Sequence, residues 1–144
     1  MMKTSDEGIA LIAHFEGFRS KAYVCAGGKW TIGYGHTKGV KEGDTITEAE
    51  GLRLLREDVA DAESAVRKWV HAPLKQNQFD ALVSFVFNVG SGNFASSSLL
   101  REVNFDANDF ADIRPRFMAW VYSKKRKIEG LERRRKAEAD MYCK

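Results

Sequence analysis

Apolar residues recur along this chain first with helical and then with strand spacing. Ile9, Ile12, Ala13 and Glu16 stand at i, i+3, i+4 and i+7, and Thr4 followed by Glu7 has capping-box spacing, so residues 5–16 read as a helix closed by Gly17. Residues 21–25 and 30–35 place β-branched and aromatic positions on either side of Gly27 and Gly28, the signature of a β-hairpin. Gly33, Gly35, Gly39 and Gly43 keep the next stretch irregular until Thr47, which with Glu50 makes a second capping box. Leu52, Leu55, Val59, Ala62, Val66 and Trp69 then hold steps of three and four, which predicts one continuous amphipathic helix over 47–70, stopped by Pro73.

Residues 75–89 are apolar on nearly every face, with Phe79, Leu82, Val83, Phe85, Val86, Phe87 and Val89, and mark a buried central helix ended by Gly90. Shorter helices are expected at 96–103, 106–112, 115–122 and 131–142, with Pro115 at a first helical position. The fold class expected is α+β in a single domain over 1–144. It has a small hairpin-containing N-terminal lobe (1–46), a connecting helix (47–70) and a larger, all-helical C-terminal lobe (71–144). No internal repeat, low-complexity tract or linker interrupts it.

Composition narrows the function classes. With 44% hydrophobic and 30% charged residues, the 144-residue chain has the makeup of a globular protein able to bury one core. A net charge of +3 is too mild to imply a nucleic-acid partner, and no helix-turn-helix or zinc pattern is present. Cys25 and Cys143 offer neither a disulfide framework nor a C-x-x-C motif, which fits a reducing compartment. No apolar run reaches 18 residues and no signal-peptide core opens the chain, so the expectation is a soluble cytoplasmic protein without membrane insertion. Positive charge gathers late, at Arg114, Arg116, Lys124, Lys125, Arg126, Lys127, Arg133, Arg134, Arg135 and Lys136 against Glu129 and Glu132. That pattern is either a basic binding face or a solvated helix surface.

Candidate chemistry concentrates between Glu16 and Thr37. Glu16 closes an apolar stripe at a helix C-terminus, where desolvation and the helix dipole both favour the protonated acid. The same region holds a cysteine, two threonines, a histidine and two tyrosines on a glycine-rich hairpin. Pattern alone reads equally as a site or as one solvated glutamate beside an ordinary hairpin.

The spacing Glu16, eight residues, Cys25, five residues, Thr31 resembles the catalytic spacing of the phage-type lysozymes (endolysins, muramidases) of glycoside hydrolase family 24, in which the middle position is Asp or Cys. Three further segments are similar to that family: Trp30 to Thr37, Asp80 through Ser84 to Gly90, and Gly130 to Arg135. The resemblance implies a lysozyme-like fold and hydrolysis of the β-1,4 bond between N-acetylmuramic acid and N-acetylglucosamine in peptidoglycan glycan strands. It gives Glu16 the part of proton donor, Cys25 the opposite sugar face and Thr31 the attacking water. It further implies a monomeric endolysin held in the host cytoplasm, released to the periplasmic wall with the help of a separate holin. A transglycosylase would need no water-holding pair, so Cys25 and Thr31 together favour hydrolysis.

Cys25 near the reference thiol pKa of about 8.5 is expected to be mostly protonated at pH 7, and a neighbouring carboxylate would raise it further. The hairpin register makes its own demand. An odd loop centred on Gly28 sets Thr31 opposite Cys25, whereas a two-residue turn sets Trp30 there and turns Thr31 to the other face; the catalytic reading requires the first register or a bulge that restores it. His36 lacks a second ligand at metal spacing, so neither a metal nor a cofactor is expected, and its reading is hydrogen-bond support of Glu16 or of the hairpin. Tyr23, Tyr34 and Trp30 either stack on sugar or pack across strands. Ser97 either contacts the glycan or caps a helix.

Overall fold

Eight helices and two short hairpins make up the chain in a computed structural model that describes residues 1–144. Two compact units emerge, one of Ile9–Ala60 and one of Met1–Gly8 together with Asp61–Lys144.

In the smaller unit, which α1 (Asp6–Glu16) enters at Ile9, that helix brings in the apolar stripe, with Ile9 and Ile12 buried, and ends where the Gly17 N–H bonds to the Ala13 carbonyl. The antiparallel strands β1 (Arg19–Val24) and β2 (Trp30–Gly33) follow, then α2 (Glu48–Asp58). Both halves of the Thr47–Glu50 capping box are made at the start of α2. The helix expected to run unbroken over 47–70 is instead two, α2 and α3 (Ala60–Trp69), parted at Val59. The apolar rhythm hides the break because Leu55, Val59, Ala62 and Val66 are all buried. No Pro or Gly stands there. Asp58, the last residue of α2, bonds His36 at 2.8 Å.

The larger unit is built on α4 (Gln76–Val89), buried along most of its length and closed by Gly90. The helices α5 (Ser91–Ala95), α6 (Ser98–Phe105), α7 (Phe110–Met118) and α8 (Glu129–Tyr142) complete it, with α8 packed along α4 and α7 along α8. Phe85 of α4 is the hub of the core, meeting Phe94, Phe117 and Trp120 edge-on at 5.6–6.2 Å. Pro115 lies inside α7 rather than at its start, because Asp109 caps the helix by accepting the Asp112 N–H. One helix therefore replaces the two expected on either side of residue 114. The all-helical expectation also fails at 122–127, where β3 (Tyr122–Ser123) and β4 (Arg126–Lys127) form a second hairpin.

The first residues pack in this larger unit, not with the hairpin lobe. Thr4 gives both its N–H and its hydroxyl to the buried Glu63 at 2.7 Å, so it is not the helix cap. Ser5 takes that place, accepting the Gly8 N–H while its own N–H and hydroxyl bond Asp80.

Candidate active site

Everything between Glu16 and Asp58 that matters for chemistry belongs to one compact unit. Glu16 is half-buried at the last position of α1. Its carboxylate lies against the backbone of Gly35, where a Cβ would sit 3.4 Å from Oε1.

The hairpin register differs from both expected alternatives. Tyr23 faces Thr31 and Val24 faces Trp30, which puts Lys29, not Thr31 or Trp30, opposite Cys25. The cause is a three-residue loop centred on Gly27: the Cys25 carbonyl accepts the Gly28 N–H at 2.8 Å, and the Cys25 N–H bonds Lys29 O at 2.9 Å. Gly28, at φ 81°, supplies the left-handed residue that such a loop requires. Because Lys29 and Thr31 are two apart, Cys25 and Thr31 still share one face of the hairpin as a diagonal pair.

Thr31 is buried, and its hydroxyl donates to the Lys29 carbonyl at 3.0 Å. The Cys25 thiol's pKa is lowered, first by the influence of the Thr31 side chain and then by the backbone of Lys29 and Gly27, with desolvation opposing them. The expectation that a neighbouring carboxylate raises this pKa is not met: the only opposing influence is desolvation.

His36 closes the turn after β2, exchanging backbone bonds of 2.9 Å in both directions with Ile32. Its Nδ1 lies 2.8 Å from Asp58 and its Nε2 lies 2.9 Å from the Lys38 carbonyl. The Lys38 carbonyl can only accept, so Nε2–H donates to it. His36 therefore ties the hairpin to the end of α2. Asp58 is the partner that sequence reasoning missed, one acid among several on a polar helix face and 22 residues away.

The remaining candidates are placed plainly. Tyr34 is buried, packs its ring on Phe18 at 5.3 Å and has its pKa raised by burial and by Glu48, so it supports the unit from within. Tyr23 is half-buried under the Arg19 guanidinium, 4.2 Å from its ring centre, and Trp30 is half-buried opposite Val24. Ser97 is a buried helix cap: its hydroxyl accepts the Leu100 N–H and donates to Phe94 O.

The late cations do not form one basic face. Arg114 pairs with Asp140, Arg116 with Asp112, Lys127 with Glu132 and Arg133 with Glu129. Arg134 and Arg135 are buried with Glu138, and the network extends to Ser84 and Asn88 of α4. Burial pushes the Glu138 carboxyl up and the Arg135 guanidinium down, and each of these ion pairs opposes the shift.

The phage lysozyme family profile matches residues 13–138. An endolysin of Acyrthosiphon pisum secondary endosymbiont phage 1 is 40% identical over 145 residues, covering 98% of each chain. Among solved structures, the muramidase domain of SpmX from Asticaccaulis excentricus superposes with a TM-score of 0.91 at 38% identity, over 100% of this chain and 99% of that one. A mutant of P22 lysozyme also reaches 0.91, at 36% identity over the whole of both chains. On the profile match, on sequence identity across nearly the full length and on the shared lysozyme-like fold, this chain belongs to the phage lysozyme family.

Proposed function

We propose that the chain is an endolysin of glycoside hydrolase family 24 that hydrolyses the β-1,4 bond between N-acetylmuramic acid and N-acetylglucosamine in peptidoglycan. Glu16 is the proton donor, and Cys25 and Thr31 serve the water side. The observation that carries this reading is the hairpin register that puts Cys25 and Thr31 on one face, in the same unit as the half-buried Glu16 carboxylate. The names of the relatives, endolysin and muramidase, describe those proteins, and identity near 40% over both full lengths supports carrying the activity to this chain.

In this mechanism the glycosidic oxygen takes the Glu16 proton as the bond to the anomeric carbon breaks. A water held by Thr31 bonds to that carbon from the opposite face and passes its proton to the Cys25 thiolate. Interactions that favour the thiolate leave more of Cys25 deprotonated than an ordinary thiol at the same pH, and so able to accept that proton. Glu16 then regains a proton from solvent and Cys25 releases one. Attack by water inverts the anomeric centre, whereas a covalent thioglycoside on Cys25 would retain it, so the anomer first released separates the two routes.

The deciding experiment is clearing of outer-membrane-permeabilised Gram-negative cells by the parent and by Glu16→Gln, with the released muropeptides identified by mass. Reducing muramic acid ends from the parent and loss of clearing in the variant are expected. Unchanged clearing by Glu16→Gln overturns the assignment, and 1,6-anhydro ends would make the enzyme a transglycosylase. Cys25→Asp is expected to match the parent or exceed it, and Cys25→Ser to keep part of the activity; complete loss in both would make the thiol itself essential.

The same proposal has a holin open the way from host cytoplasm to wall. No helix of the chain is long and apolar enough to cross a membrane. Lysis of expressing cells only when a holin is supplied is the expected result.

A further inference from the structure

The β3–β4 hairpin combines three features that nothing in the fold requires. Tyr122 faces Lys127 and Ser123 faces Arg126, which leaves Lys124 and Lys125 as a two-residue turn at φ 52° and 67°. Turns with both central residues at positive φ belong to Asn-Gly and Gly-Gly pairs, because a Cβ is strained in that conformation. Here two lysines bear the strain. Secondly, Lys124, Lys125 and Arg126 are exposed and make no ion pair, whereas every arginine from 114 to 116 and from 133 to 135, and Lys127 as well, is engaged with a carboxylate. Thirdly, Tyr122 is 60% exposed and Ile128 39% exposed on either side of these cations. Backbone strain kept by side chains without internal partners points to a ligand outside the chain.

We propose that this hairpin binds the carboxylate-bearing stem peptides of the glycan substrate, an inference that rests on the peptidoglycan reading above. Lys124 and Lys125 project from the turn as point charges, and the Arg126 guanidinium offers a bidentate fork to a carboxylate. Tyr122 and Ile128 give the aliphatic parts of a short peptide an apolar footing. The mixture suits a small acidic peptide. A bilayer would require a broad apolar face, which two isolated side chains do not provide.

The test compares KM and kcat of the full chain with those of a triple variant, Lys124→Glu with Lys125→Glu and Arg126→Glu. One substrate is sacculi with intact stem peptides, and the other is the same strands stripped of peptides by an amidase. On peptide-bearing sacculi the variant is expected to raise KM about five- to tenfold at low salt with kcat unchanged, the difference closing as salt rises. On stripped strands the two proteins are expected to have the same KM. A second variant, Lys124→Asn with Lys125→Gly, relieves the turn and keeps Arg126. Its melting temperature is expected to rise while its KM on peptide-bearing sacculi also rises, by a smaller factor. An unchanged KM in both variants, or an equal rise on stripped strands, overturns the hairpin site while leaving the hydrolase reading intact. Failure of the parent to digest either substrate overturns both. Salt-sensitive binding to phosphatidylglycerol vesicles that the triple variant loses, with KM unchanged, assigns the hairpin to lipid phosphates and also overturns the proposal.

Discussion

Cys25 and Cys143 show how neighbouring atoms separate two residues of one type. The Thr31 side chain and the backbone of Lys29 and Gly27 lower the pKa of Cys25. Cys143, at the end of α8, has its pKa raised by burial, with Arg114 opposing. The thiolate is the reactive form, so alkylation of Cys25 by iodoacetamide should reach half its maximal rate at a lower pH than that of Cys143. Peptide mass analysis across a pH series reads both sites, and the reverse order would contradict these two shifts. The same direction applies to catalysis. With Cys25 as base, activity is lost as pH falls through its lowered pKa, and Cys25→Asp should move that acid limb lower still.

Two helical glycines make opposite predictions at the scale of elements. Gly51 lies in α2, where an added Cβ would stand 2.8 Å from the Phe18 ring and 3.3 Å from Tyr34. Alanine favours a helix by about 1 kcal/mol over glycine. Overpacking a filled site costs roughly 1–3 kcal/mol, so Gly51→Ala is expected to destabilise on balance. Gly92 lies in α5 with nothing within 4 Å of its added Cβ, and Gly92→Ala is expected to stabilise by up to about 1 kcal/mol. Urea midpoints check both, and a stabilising Gly51→Ala would show that Phe18 can move aside. Asp58→Asn belongs to this scale too, because it weakens the tie between the end of α2 and His36.

For the whole molecule, the contact between α4 and α8 depends on a buried charge cluster. Glu138 is fully buried, meets Arg135 at 2.8 Å and Arg134 at 3.1 Å, and accepts the Ser84 hydroxyl at 2.6 Å. Breaking such a group leaves uncompensated buried charge, at a cost of about 3–5 kcal/mol. Glu138→Gln should therefore lower the stability of the whole unit by that order in denaturant titration. A loss under 1 kcal/mol would mean that solvent reaches the arginines in the variant.

Local patterns were enough to read much of this protein. Capping chemistry at Thr47, the glycine pair of the first hairpin, the apolar rhythm of α4 and the spacing of Glu16, Cys25 and Thr31 are short-range features, so the lysozyme-like α+β class was legible without coordinates. Decisions that depend on distant partners were not. Thr4 looked like a cap and became a ligand of Glu63, 59 residues away, because a buried carboxylate needs donors. The parting of α2 from α3 is invisible in a periodicity that continues through Val59. The late arginines read as either a basic face or a solvated helix surface until α7 and α8 brought carboxylates within reach. Loop length offered two hairpin registers, and the bonds around Gly27 chose a third that keeps Cys25 and Thr31 on one face. Periodicity and spacing record what a residue needs from its near neighbours. Which distant group meets that need is settled only when the chain folds back on itself.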